Sequence, residues 1–204
     1  IHWGAYSCGA RYTWLKSHER LTTEEYNKYT DHFDPDLFDP QQWAKAAKAA
    51  RMKYFVLTSK HHDGFCMFDT GTTSYSSVAM MPSHRDFVRE MSQACERHGL
   101  RFGLYYSLID WHFPYAYPIS SHNADFVTPE HHEFSKEQVR ELLSNYGPVS
   151  ELWFDMGSLL PEQSRELYAL VKELQPDCMV SGRLGNDVYD FAVMADNKLP
   201  ESAL

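Results

Sequence analysis

The feature that most constrains this chain is a rhythm. Short, continuous apolar runs alternate with longer stretches whose apolar residues recur at helical spacing. Tyr54-Phe-Val-Leu-Thr58, Leu100–Tyr106, Glu151–Phe154 and Met179–Gly182 read as strands, and Ile1–Tyr6 fits a further one. Runs this short and this apolar suit strands buried on both faces. Between them lie helical patterns. Asp39-Pro40 supplies an N-cap and a first-turn proline, followed by Trp43, Ala47 and Ala50 on one face. A second helix runs from about Arg85, with Phe87, Met91, Ala94 and Cys95 inward, and stops at Gly99. A third starts at Ser135, carries Val139, Leu142, Leu143 and Tyr146, and ends at Gly147. A fourth spans Pro161–Leu174, with Leu167, Leu170, Val171 and Leu174 on one side.

Alternation of this kind predicts an α/β fold with a parallel sheet, either doubly wound or a (β/α)8 TIM-like barrel. No strand is followed by the glycine-rich phosphate loop of dinucleotide binders. Polar and aromatic residues follow the strands instead. That favours the barrel, whose chemistry sits at the C-terminal ends of its strands. About five strands are visible, and a closed barrel needs about eight. Residues 1–204 therefore read as one catalytic barrel domain, incomplete at both ends.

Composition narrows the partners. The formal net charge is −9 and no cluster of Lys and Arg stands out. Nucleic acid and anionic membranes both need compensating positive charge, so neither is expected as a partner. No apolar run approaches a membrane span. The cysteines Cys8, Cys66, Cys95 and Cys178 form no C-x-x-C pair, which argues against a zinc or redox motif. Aromatic residues make up 15% of the chain, either to fill a large core or to meet the apolar faces of sugar rings.

The strand ends carry the chemistry. Lys60-His-His-Asp-Gly-Phe65 follows one strand. Adjacent histidines suit a structural or surface role, metal binding or hydroxyl binding, the last because an imidazole both donates and accepts hydrogen bonds. No glutamate stands at helical spacing to complete a zinc site, so no metal is expected. Tyr105-Tyr-Ser107 and Asp110-Trp111 follow the next strand and bring apolar faces with polar tips. Trp153-Phe-Asp155 delivers one carboxylate to a strand end. An N-cap would be the ordinary role for such an Asp, but the next helix opens only near Pro161. Ser181-Gly-Arg183 adds a cation suited to hydroxyls or to holding a carboxylate ionised. The expected mouth thus gathers His2, His61, His62, Tyr106, Trp111, Trp153, Asp155 and Arg183. One carboxylate among aromatic and neutral hydrogen-bonding groups suits a neutral sugar better than a phosphate ester.

Ile1-His-Trp-Gly-Ala-Tyr-Ser7, Lys60-His-His-Asp-Gly-Phe65, Phe102-Gly-Leu-Tyr-Tyr-Ser107, Asn145-Tyr-Gly-Pro148, Trp153-Phe-Asp155 and Gln175-Pro-Asp177 resemble, in order and over nearly the whole chain, glycoside hydrolase family 29, the α-L-fucosidases. The resemblance implies a retaining exo-hydrolase that releases terminal α-L-fucose from fucosylated glycans. Asp155 matches the family nucleophile, and a second carboxyl serves as general acid and base. His2, His61, His62, Tyr106, Trp153 and Arg183 match positions lining the fucose pocket. No organic cofactor or metal is implied. A secreted, periplasmic or lysosomal location is the family expectation, and a homo-oligomer is compatible with it. Two departures stand out. Thr13 precedes Trp14 where many relatives have Glu, so a sugar contact is either absent or supplied by a neighbour such as Glu19. The acid varies in position across the family. Asp196 and Glu201 fall near one arrangement, but the reading places the acid beyond position 204, with Glu201 as the weaker candidate. The alternatives are a sugar-binding protein without turnover, and a barrel hydrolase for another sugar such as galactose.

Overall fold

The computed structural model describes residues 1–9, 12–114, 127–156 and 158–194. Asp196 and Glu201 lie outside the described residues. A 3-10 turn (Ala5–Gly9) leads into helices α1 (Leu15–His18), α2 (Thr23–Asp31) and α3 (Pro40–Ala49), then strand β1 (Tyr54–Lys60). Helices α4 (Ser77–Met80) and α5 (Phe87–Arg97) precede β2 (Arg101–Ser107). Helix α6 (Pro129–Asn145), β3 (Glu151–Asp155), α7 (Pro161–Leu174) and β4 (Met179–Val180) complete the alternation.

The four strands form one sheet in the order β1-β2-β3-β4, and every pairing is parallel. This order decides between the two architectures left open above. A doubly wound sheet reverses its order at a switch point, whereas a barrel adds each strand beside the last. Here each strand is added beside its predecessor, with no reversal.

Strand alternation sorts the side chains onto two faces. Phe55, Leu57, Phe102, Leu104, Tyr106, Leu152 and Phe154 are buried in the main core with Met91, Cys95, Val139, Leu142, Leu167 and Val171 of the helices. Truncating a side chain in such a position costs about 2–5 kcal/mol, which makes this face a rigid support. The opposite face carries Val56, Gly103 and Glu151 in one row and Thr58, Tyr105 and Trp153 in the next. Much of the aromatic content is structural. Trp3 packs on Phe33, Phe38, Trp43 and Phe87 with ring centroids 4.9–5.6 Å apart.

Three sequence expectations need correction. Ile1–Tyr6 is not a strand. Only Ile1 lies along β1, its carbonyl accepting from Thr58 N at 3.2 Å, and Ser7 N then donates to Gly4 O at 2.9 Å and turns the chain. Helix α6 begins at Pro129 rather than Ser135, because Thr128 caps it by accepting from His131 N with Pro129 in the first turn. The last strand stops at Val180, and Gly182–Leu184 is a 3-10 turn.

Candidate active site

A cavity of about 820 Å³ runs along the inner face of the sheet, from Tyr54, Val56 and Glu151 to the C-terminal strand ends. His2, Thr13, Trp14, His61, His62, Tyr105, Trp153, Asp155, Met156 and Arg183 line it. A larger cleft of about 1,100 Å³ opens near Arg101 and Val149, at the opposite ends of β2 and β3. Barrel chemistry belongs at the C-terminal ends, which the smaller cavity reaches and where Asp155 lines it.

Asp155 is the last residue of β3 and is 8% exposed. Tyr105 Oη donates to its Oδ2 at 2.5 Å, and Arg183 Nη1 donates to its Oδ1 at 2.8 Å. Each oxygen is thus oriented by one donor. Burial, then the charge of Asp155, push the Tyr105 phenol well above its usual range, so it stays protonated and donating. The Arg183 guanidinium also lies 5.2 Å from the centre of the Trp153 ring, and that ring stacks 5.5 Å from Tyr105. Asp155 caps no helix, since α7 starts only at Pro161. The backbone leaves the strand through Met156 at φ 58°, a left-handed conformation that a side chain makes costly, by about 1–3 kcal/mol at such sites.

The histidines come from the loop after β1 and from the chain start. His61 and His62 have ring centroids 3.9 Å apart, and His2 lies 4.8 Å from His61. Burial, then His62 and His2, lower the His61 pKa well below its usual value. Burial, then His2 and Lys60, lower that of His62 to about 3. Both rings are therefore neutral at neutral pH, each with one N–H and one lone pair to offer.

A second layer holds this loop. Lys60, fully buried, pairs with Asp110 Oδ2 at 3.2 Å and donates to the Tyr106 hydroxyl at 3.1 Å. Asp110 Oδ1 also accepts from His112 N and Phe113 N. Asp63 accepts from Tyr26 Oη at 2.6 Å and from Phe65 N at 3.2 Å. Burial raises the Asp63 pKa to about 6. Gly64 has φ +83°, and a Cβ there would sit 2.2 Å from Asp110 Oδ1, so only glycine fits against this carboxylate.

Two expected site residues fall elsewhere. Tyr106 is completely buried on the helix side of β2, where its hydroxyl donates to Gln138 Oε1 at 2.7 Å. The cavity receives Tyr105 instead, because Tyr105 is in register with Trp153 and therefore shares its face. That parity was readable from the sequence. Trp111 stands one layer back, in a cluster with Ile109, Met156 and Trp14. Its ring centroid is 5.5 Å from His62 and 5.6 Å from Trp14. Glu19 is not among the cavity's lining residues, and Thr13 is. Glu151 lines the cavity too, but four residues along a strand amount to roughly 13 Å at 3.3 Å each. That is too far from Asp155 for the partner of a retaining pair, which stands about 5–5.5 Å away.

The sequence profile of the family described as Alpha-L-fucosidase matches residues 1–204. The chain belongs to the α-L-fucosidase family. Among its family relatives, "Alpha-L-fucosidase 1" of Arabidopsis thaliana is 32% identical over 163 residues, covering 76% of this chain and 30% of that protein. "Tissue alpha-L-fucosidase" of Mus musculus is 33% identical over 174 residues, covering 76% and 37%. The chain thus spans about a third of these fucosidases. Among solved structures, α-L-fucosidase isoenzyme 1 from Paenibacillus thiaminolyticus superposes with a TM-score of 0.85 at 41% identity, covering 94% of this chain and 51% of that one. The α-L-fucosidase AlfC from Lactobacillus casei, in complex with α-L-fucose product, gives 0.85 at 36% identity, covering 98% and 71%. The α-L-fucosidase structures have a TIM-barrel catalytic domain, of which this chain covers part.

Proposed function

We propose that this chain carries the nucleophilic half of a retaining α-L-fucosidase site, with Asp155 attacking the anomeric carbon of a terminal fucose. The observation that carries the reading is one carboxylate at a strand end, oriented by Tyr105 and Arg183 and facing a cavity walled by neutral histidines and tryptophans. In the first step an Asp155 oxygen forms an ester to the anomeric carbon while the glycosidic oxygen leaves with a proton from a general acid. In the second, water attacks the same carbon, gives its proton to the conjugate base and frees Asp155. We assign the acid to a carboxyl outside the described residues. Glu201 is the candidate within the chain, and a position beyond 204 is the preferred one. His2, His61 and His62 would read ring hydroxyls, and Trp153 with Trp14 would meet the C6 methyl that distinguishes fucose from galactose. No step calls for a metal or organic cofactor. Among the described residues no helix is long and apolar enough to cross a membrane. A secreted, periplasmic or lysosomal enzyme acting on fucosylated glycans fits the relatives. Further strands would close the barrel over the exposed sheet face, where Tyr54 is 57% exposed.

The test is turnover of 4-nitrophenyl α-L-fucopyranoside by the intact protein, followed by proton NMR. Fucose should appear first as the α anomer, and the matched α-L-galactoside, which adds one hydroxyl at C6, should react roughly tenfold to a hundredfold more slowly. First-formed β-fucose would contradict the double displacement. Equal rates on both sugars would contradict the specificity.

A further inference from the structure

We infer that Ser107 is a positioning residue that locks His62 in its Nδ1–H tautomer, so that this ring offers the ligand an acceptor and never a donor. The inference rests on the sugar-binding reading of the cavity and adds the direction of one hydrogen bond within it.

Ser107 ends β2, is completely buried and stands in register with Asp155. Its hydroxyl makes two short contacts. Oγ lies 2.7 Å from the Ile109 carbonyl oxygen and 2.7 Å from His62 Nδ1. A hydroxyl has one proton to give, and a carbonyl oxygen can only accept. The proton must therefore lie between Ser107 and Ile109, since otherwise two oxygens would face each other at 2.7 Å with nothing between them. The Ser107 oxygen then meets His62 with a lone pair, and Nδ1 must carry the hydrogen of that contact. A neutral imidazole has only one N–H, so Nε2 is left as a lone pair. The ring has little access to a second proton, because it is buried beside His2 and Lys60. The relay is tied to the nucleophile as well, since Leu108 N donates to the Asp155 carbonyl at 2.7 Å.

His61 provides the contrast. Its Nδ1 is buried without a hydrogen-bond partner among the described residues, and no such relay sets its tautomer. Of this adjacent pair, only His62 has its polarity fixed from behind. A ligand must bring a hydrogen-bond donor to His62, which a free ring hydroxyl supplies and a methyl ether does not.

The experiment combines two readouts. Long-range proton–nitrogen NMR of the ligand-free, 15N-labelled intact protein reports the tautomer, with the His62 signals assigned by their loss in His62→Gln. The parent protein should show a pyrrole-type Nδ1 and a pyridine-type Nε2. Ser107→Ala should populate the other tautomer and raise KM for the aryl fucoside about tenfold, roughly the loss of one hydrogen bond, with kcat changed less than about threefold. Ser107→Thr, which keeps the hydroxyl, should restore both. A pyridine-type Nδ1 in the parent would overturn the inference, as would Ser107→Ala with tautomer and KM unchanged. If Ser107→Ala fails to fold, the parent spectrum and Ser107→Thr still decide. Because the NMR readout needs no turnover, it separates this inference from the proposed activity.

Discussion

Asp155→Ala is expected to lower kcat/KM on an aryl α-L-fucoside at least about a thousandfold, on the order of 4 kcal/mol of transition-state free energy, with the fold intact. The expectation follows from what the side chain does in the structure. It is the one carboxylate at the C-terminal strand ends among the described residues that line the cavity, and Tyr105 and Arg183 each donate to one of its oxygens. Alanine leaves space beside the anomeric carbon. Azide should fill it and form the β-fucosyl azide, because a small anion then attacks from the side Asp155 occupied. An aryl fucoside suits this test, since its leaving group departs without a proton donor and the nucleophilic step is isolated. Activity within tenfold of the parent would remove Asp155 from the mechanism.

The second large effect concerns stability. Asp110→Ala should lower the unfolding free energy of the intact protein by about 3–5 kcal/mol, measured by urea denaturation. Lys60 is fully buried, and Asp110 is its sole carboxylate partner among the described residues. Burial works against the Lys60 ammonium, but Tyr106 and Asp110 outweigh it and hold its pKa above the usual lysine value. Asp110 is shifted the opposite way: burial raises its pKa, and Lys60, the largest opposing influence, brings it below the usual carboxylate value. Removing the carboxylate leaves a desolvated cation and two unpaired amides, those of His112 and Phe113. The double variant Lys60→Met with Asp110→Ala should recover part of the loss, because it removes the orphaned charge. A loss under about 1 kcal/mol in the single variant would show that the pair does not support the histidine loop.

What the sequence revealed and what it hid follow from the range of the interactions. Helices α3 and α7 were legible because their signals are local: Asp39 with Pro40, and Pro161 in the first turn. The strands between them were legible as apolar runs, and the gap between Asp155 and Pro161 already separated this carboxylate from a capping role. The start of α6 was missed although Thr128-Pro129 marks it, because the apolar periodicity sets in only later. Residue type alone does not separate Tyr105 from Tyr106: neighbouring strand residues face opposite ways, and the register with Trp153 identifies Tyr105 as the inward one. Trp111 looked like a sugar contact from its residue type, but its place behind His62 and Trp14 depends on packing between separate loops. The Ser107 relay depends on two distances from one oxygen, which no sequence spacing reports.

The most direct test of the central claim is to trap the intermediate. The intact protein treated with 2-deoxy-2-fluoro-α-L-fucosyl fluoride should lose activity with time and gain one covalent label. Peptide mass spectrometry should then find that label on Asp155. A label on any other residue, or steady inactivation with no covalent adduct, would contradict the assignment of Asp155 as the nucleophile.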